Sequence, residues 1–225
     1  MPRPDSGNSN SRRPHDPDAV LDAMRTHWNG QAPTYDRGMD RIERMAVGDG
    51  RSWVCRQARG RTLEVAVGTG RNLELYAEDV ELTGIDLSPR MLDIARRRAQ
   101  GLDNVAALRE ADAEHLPFPD AHFDSVVATL SLCSVPDVGA SVAEMRRVLR
   151  PGGRLLLLDH VRPTMPPLRW FLRAVEWITA RTQPGSGERF MRRPIVQVRE
   201  HGFIVESDER SKGGAIERVS ARKPA

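Results

Sequence analysis

The residues best placed to do chemistry lie in one run, Thr62-Leu63-Glu64-Val65-Ala66-Val67-Gly68-Thr69-Gly70-Arg71-Asn72, and in Ile85-Asp86 at the end of the next apolar stretch. An apolar strand feeding into Gly68-Thr69-Gly70 leaves backbone N–H groups exposed at a helix start. Without a Cβ at Gly68 or Gly70, a ligand can approach the main chain closely there. A carboxylate closing the second strand, here Asp86, can accept from both hydroxyls of a ribose. Together these features predict a site for a nucleoside cofactor.

The glycine spacing narrows the choice of nucleoside. A dinucleotide fingerprint carries a third glycine that lets helix and strand pack closely. Counted from Gly68, that position is Leu73, so the pyrophosphate pattern is incomplete.

Positioning such residues requires alternating strands and helices. Strand-like runs cover Thr62–Val67, Val80–Ile85, Val105–Glu110, Asp124–Leu130 and Arg154–Asp159, with helical patterns between them. That order predicts a parallel sheet covered on both faces. Arg154-Leu155-Leu156-Leu157-Leu158 lacks alternation, as a strand buried on both faces should. Ser88-Pro89 supplies a capping hydroxyl and an N1 proline to a helix carrying Met91, Leu92, Ala95 and Ala99. Asp137 caps a second helix through Val142, Met145 and Leu149, which Pro151-Gly152-Gly153 ends. Two amphipathic stretches, Asp18–Trp28 and Asp40–Ala58, precede the first strand. Phe203–Ser207 and Ile216–Ala221 read as a terminal antiparallel pair.

Ligands of an open parallel sheet sit outside the carboxyl ends of its strands. Here each of the five runs ends in a polar or flexible group: Gly68-Thr69-Gly70, Asp86-Leu87, Asp112-Ala113, Thr129-Leu130-Ser131 and Asp159-His160. Five such ends in series argue for a site.

At 225 residues the chain is expected to form one domain over 18–225, with cap helices over 18–58 and a lid-like insertion over 161–193. Residues 1–17, rich in Pro, Ser, Asn and Arg with no apolar core, are expected to be a disordered tail rather than a signal peptide. No apolar run approaches the ~20 residues that span a bilayer. Cys55 and Cys133 are too few and too far apart for a disulfide framework or a metal site, which points to a reducing cytoplasm. A net charge of only +3 argues against nucleic acid as the partner.

The run Glu64-Val65-Ala66-Val67-Gly68-Thr69-Gly70 resembles motif I of the class I S-adenosylmethionine (SAM) methyltransferases, acid-x-Gly-x-Gly-x-Gly, with Ala66 in place of the first glycine. The resemblance extends over roughly 35–160. It takes in Thr83-Gly84-Ile85-Asp86-Leu87-Ser88-Pro89, Ala111-Asp112-Ala113-Glu114-His115-Leu116-Pro117-Phe118 and Val148-Leu149-Arg150-Pro151-Gly152-Gly153. Ala32-Pro33-Thr34-Tyr35-Asp36 looks like the segment with which the branch of ubiquinone, menaquinone, phospholipid and small thiol methyltransferases covers its cofactor.

The resemblance implies an α/β, Rossmann-like class I methyltransferase fold: a mostly parallel seven-stranded sheet with helices on both faces and an antiparallel terminal strand. It implies that Asp86 binds the ribose hydroxyls and Leu87 packs on the adenine. Asp112 would accept from the adenine amino group, with Ala113 supplying backbone contact, and Gly68 and Gly70 would approach the methionyl part. Glu64 would orient the loop or meet the ammonium group. Tyr35, Ala66, Asn72, Met91, Thr129 and Leu130 complete the implied cofactor set. The chemistry agrees, since a sulfonium with an ammonium group suits carboxylates and carbonyls better than an Arg-lined phosphate nest. Each of these residues also has a structural reading: Asp86 and Asp112 as turn caps, Tyr35 as helix packing, Thr129 as a strand end.

Beyond the cofactor, His160 is the candidate base, because a neutral imidazole can remove a proton from a hydroxyl, thiol or ammonium. Cys133 reads as a small buried hydrophobe. Leu168–Ile178, with Trp170, Phe171 and Trp177 beside arginines, reads as core packing or a lid over the acceptor, and alternatively as a membrane-surface helix. The expected function is methyl transfer from SAM to N, O, S or C of a small, apolar acceptor, without a metal. The rivals are a peripheral lipid or quinone methyltransferase and a non-catalytic SAM-binding module.

Overall fold

The apolar runs become strands in the computed structural model, which describes residues 17–225; the expected tail therefore lies outside the described residues except for Pro17. The strands are β1 (Arg61–Val65), β2 (Glu81–Asp86), β3 (Val105–Glu110), β4 (Phe123–Thr129), β5 (Leu149–His160), β6 (Ile204–Ser211) and β7 (Ile216–Arg222). They form one sheet in the order β3-β2-β1-β4-β5-β7-β6. The pairs from β3 to β5 are parallel, and β7 runs antiparallel to both β5 and β6. This is the predicted seven-stranded, mostly parallel sheet.

The leucines of β5 show how the layers form. Leu155 and Leu157 pack with Val126, Met145 and Val142 on one face, while Leu156 and Leu158 pack with Val54, Val127 and Leu92 on the other. All four are at most 2% exposed. Each buried leucine contributes about 1.5–3 kcal/mol of apolar transfer, so β5 ties both layers to the sheet.

The helices are α1 (Pro17–Ile42), α2 (Gly50–Cys55), α3 (Pro89–Arg98), α4 (Val138–Val148), α5 (Pro166–Thr182) and α6 (Pro194–Glu200). Ser88 Oγ caps α3 through the Met91 N–H at 3.2 Å, and Asp137 Oδ1 caps α4 through Gly139 and Ala140 at 2.7 and 3.1 Å. Both caps lie where the sequence predicts them.

Three expectations change. The two N-terminal stretches are joined: α1 runs unbroken through Pro33 to Ile42, and a π-helical turn at Glu43–Val47 follows. Pro33 sacrifices one i→i−4 bond, but Asn29 Oδ1, accepting from Ser88 Oγ at 2.7 Å, and Asp36 Oδ1, accepting from Thr69 Oγ1 at 2.6 Å, hold the helix on both sides of it. No α-helix opens after the glycine turn, which leads only to a 3-10 turn at Leu73–Leu75. Just nine residues separate Gly70 from Val80, too few for a helix of several turns and its return. Finally, α5 has no fully buried side chain and turns Trp170, Phe171 and Trp177 outward, so these aromatics are not core packing.

Candidate functional site

The chain reverses its sheet direction at β1, which pairs with β2 on one side and β4 on the other. That switch point opens a crevice at the carboxyl ends, and an open cleft lined by residues from α1, α2 and the ends of β1, β2, β3 and β4 lies there.

The floor comes from strand ends: Ala66, Val67, Gly68 and Thr69 after β1, Ile85, Asp86 and Leu87 at β2, and Thr129, Leu130 and Ser131 at β4. Ala66 and Leu130 adopt φ of +56° and +53°. Left-handed backbone at non-glycine residues is strained and concentrates at ligand sites. Ala66 thus holds the backbone shape for which motif I normally uses glycine.

Asp86 joins the floor together. Its Oδ2 accepts from the Gly68 N–H and its Oδ1 from the Ser88 N–H, both at 2.8 Å. A carboxylate has about four lone-pair sites, so the backbone donors leave acceptor capacity on Asp86 for a ligand hydroxyl in the cleft it lines. Burial pushes its carboxyl up to about 6, and backbone donors from Ser88, Gly68 and Leu87 hold it back.

At the far end of the cleft, Ala111, Asp112 and Ala113 line the wall after β3 with Met91. Asp112 also caps its own turn: Oδ1 accepts from the Glu114 N–H at 3.0 Å, and Oδ2 lies 2.8 Å from His115 Nδ1. The structural and binding readings of Asp112 therefore coexist.

The roof is α1, which contributes Leu21, Met24, Trp28 and Tyr35. Burial pushes the Tyr35 phenol up to about 12, and its ring meets Trp28 edge-on at 6.2 Å. The neighbouring Asp36 fastens the roof to the floor. Its Oδ1 accepts from Thr69 Oγ1 at 2.6 Å and its Oδ2 from Arg98 Nη2 at 2.7 Å. Arg71 adds bonds to Asp40 at 2.7 Å and Glu43 at 3.1 Å.

Glu64, Gly70 and Asn72 are not part of the cleft wall. The Glu64 side chain is buried beneath the floor, accepting from Asn72 Nδ2 at 2.7 Å and Tyr76 OH at 2.9 Å. Burial raises its carboxyl to about 7. Asn72 Nδ2 also donates to Thr129 Oγ1 at 3.0 Å, linking β1 to β4. Glu64 is thus bonded to Asn72 and Tyr76 and does not face the cleft. Gly70, at φ +80°, leaves room only for the Leu73 side chain and the Ala95 backbone.

Sequence reasoning missed Arg51. It lines the cleft from α2 and donates to Glu43 Oε1 at 2.6 Å, Asn72 Oδ1 at 2.9 Å and Thr129 Oγ1 at 3.0 Å. Arg51 thus adds a cation to a cleft that also presents the carboxylates of Asp86 and Asp112, a lining that suits a zwitterionic ligand. No motif marks it, since it sits in an ordinary amphipathic helix.

His160 does not line the cleft. It sits beside the loop after β4, its ring 5.5 Å from Phe190, and its buried Nδ1 has no hydrogen-bond partner among the described residues. Sequence spacing predicts no metal set, yet the fold brings Cys133, Asp159 and His160 together, with ligand atoms all within 4.8 Å. Asp159 is already engaged there, accepting from the Cys133 N–H at 3.2 Å and the His160 N–H at 2.8 Å, and burial pushes its carboxyl up. Cys133 is buried as expected.

The segment returning from α5 straps the same loop. Arg192 donates to the carbonyls of Leu132 at 3.1 Å and Pro136 at 3.0 Å, and to that of Val135, and the Arg189 N–H to that of Cys133 at 2.9 Å.

Comparison with known proteins agrees with this geometry. The family model described as a methyltransferase domain matches residues 63–157. A phosphatidylethanolamine N-methyltransferase of Cereibacter sphaeroides is 44% identical over 130 residues, 57% of this chain and 62% of that protein. A demethylmenaquinone methyltransferase of Deinococcus radiodurans is 38% identical over 142 residues, 59% of this chain and 58% of that protein. The chain thus spans less than two thirds of either relative. A 2-phytyl-1,4-naphtoquinone methyltransferase of Synechococcus elongatus is 34% identical over 164 residues, covering 67% of this chain and 69% of the relative. Among solved structures, a SAM-dependent methyltransferase of Thermotoga maritima superimposes with a TM-score of 0.67 at 24% identity, over 88% of this chain and 99% of that one. That likeness speaks to fold alone.

Proposed function

Because the chain belongs to the class I SAM-dependent methyltransferase family, we propose that it transfers the methyl group of SAM to a small, apolar or lipid-borne acceptor. The observation that carries the reading is Asp86, a buried carboxylate fastened to the Gly68 N–H and the Ser88 N–H on the cleft floor. Its spare lone pairs would take the ribose hydroxyls. Leu87 and Met91 would sandwich the adenine, Asp112 would accept from its amino group, and Arg51 would face the methionyl carboxylate. Where a dinucleotide would need a helix N-terminus for its pyrophosphate, this chain has only the 3-10 turn at Leu73–Leu75.

SAM supplies an electrophilic methyl on sulfur, so the chain's own work is placement. Tyr35, Trp28 and Ser131 line the cleft and would exclude water and hold an acceptor close and aligned. Such placement is worth about 7–11 kcal/mol of barrier in favourable cases. His160 remains the candidate base if the acceptor carries a proton, although it stands outside the cleft lining, so the acceptor would have to extend past the loop 131–136 to meet it. An apolar acceptor is favoured by the relatives, which act on phosphatidylethanolamine, demethylmenaquinone and a phytyl naphthoquinone. Two buried free cysteines fit a cytoplasmic setting.

The test is transfer of labelled methyl from SAM to a panel of reduced quinones, aminophospholipids and thiols. Label should enter one class, and His160→Ala should lower turnover ~10²–10⁴-fold if it is the base, with SAM binding intact. Binding of SAM with no label transferred to any class would favour the non-catalytic reading.

A further inference from the structure

Helix α5 turns its apolar side outward. Trp170, Phe171, Trp177 and Ile178 are 68%, 63%, 58% and 53% exposed. With Ala174 between them, their spacing puts them on one face as a continuous stripe. A helix that merely covers a domain does the reverse.

Cations border this stripe. Arg162, Arg169 and Arg173 share a groove with Trp170 and Trp177, and the Arg181 guanidinium stacks on Trp177 at 3.8 Å. The single acid of the helix, Glu176, is engaged by the Met191 N–H at 3.2 Å. No helix among the described residues is long and apolar enough to cross a membrane.

We propose that this face of α5 docks onto an anionic phospholipid bilayer. Trp170, Phe171, Trp177 and Ile178 enter the headgroup–acyl boundary, and Arg162, Arg169 and Arg173 meet lipid phosphates. Charge decides the occupant. A second copy of this chain, packed face to face about a two-fold axis, would set the same arginines against one another. A phosphate-bearing surface pairs all of them.

Docking would also orient the site. α5 begins just after β5 and His160, and the strap returning from it holds the loop that lines the cleft. The acceptor end would then face the bilayer. That benefit rests on the proposed lipid-borne acceptor, whereas the docking itself does not.

The experiment is co-sedimentation of the full chain with phosphatidylcholine vesicles, with and without about 30% phosphatidylglycerol. The chain should pellet with the anionic vesicles, bind the neutral ones at least about tenfold more weakly, and release near 1 M salt, where the Debye length falls to ~3 Å. Combining Trp170→Ala, Phe171→Ala and Trp177→Ala should reduce partitioning about tenfold or more, and Arg169→Gln with Arg173→Gln should abolish the anionic preference. Calorimetric SAM binding should be unchanged in both variants, since none of these residues lines the cleft. The proposal is overturned if the wild type stays in the supernatant or if the triple variant partitions like wild type. It is equally overturned if light scattering finds a dimer that the triple variant dissolves. Vesicle binding by a chain that binds no SAM would sink the cofactor reading and leave the docking standing.

Discussion

At Asp86 one carboxylate serves two purposes. It pins the Gly68 loop to the start of α3, and it presents its remaining lone pairs to the cleft. Asp86→Ala should therefore weaken SAM binding by ~1.5–3 kcal/mol, the worth of hydrogen bonds to a charged group. Calorimetry on a folded variant checks this, and an unchanged affinity would remove the ribose assignment. The pH dependence follows from the same residue. Its carboxyl sits at about 6, and the neutral acid can accept less, so wild-type SAM affinity should fall as pH drops below about 6. Asp86→Asn should lose that dependence.

Among the elements, α1 is the one whose role the sequence least discloses. Its periodicity shows an amphipathic helix on each side of Pro33, but not that they are one rod lying over a cleft. The rod becomes visible only when Asp36 is seen to reach Thr69 and Arg98, contacts made across 33 and 62 positions of chain. Strands were far more legible. Val105–Glu110 coincides with β3, and most other strand ends fall within a residue or two. A run buried on both faces carries its own signature, as the leucines of β5 do. The long extension of β5 back to Leu149 is not visible because Pro151-Gly152-Gly153 reads as a stop, although the chain is extended through it. Helix α6 is seven residues long, too short to display a period. The site was legible where polar residues end strands, and illegible where it draws on helices, as with Arg51 and Trp28. If α1 is a roof held by Asp36, then Asp36→Ala should speed SAM release. The affinity loss should appear in the off-rate, measured by stopped-flow, with the Asp86 contacts untouched. An unaltered off-rate would mean that the roof is held by its apolar contacts alone.

For the molecule as a whole, two buried carboxyls under and on the cleft floor shape stability against pH. Glu64 is raised to about 7 and Asp86 to about 6, both by burial. Their folded values lie above the unfolded ones, near 4.3 and 3.9, so the folded state binds more protons between those limits. Their contribution is fully present below about pH 4 and is lost as pH rises through about 7. The melting temperature of the ligand-free protein should therefore fall between about pH 5 and 7, and Glu64→Gln should flatten that slope. A melting temperature that climbs steadily across the interval in both proteins would contradict the burial argument.

The function follows from which nucleoside the switch-point crevice receives, and a calorimetric titration of the wild-type chain with SAM, S-adenosylhomocysteine and NAD answers that most directly. A cleft with Leu73 in place of the third dinucleotide glycine, no helix N-terminus after the turn, and Asp86 and Arg51 in its lining should bind both SAM and S-adenosylhomocysteine. NAD should bind far more weakly than either. Tighter binding of NAD, or no heat with either adenosyl compound, would contradict the account.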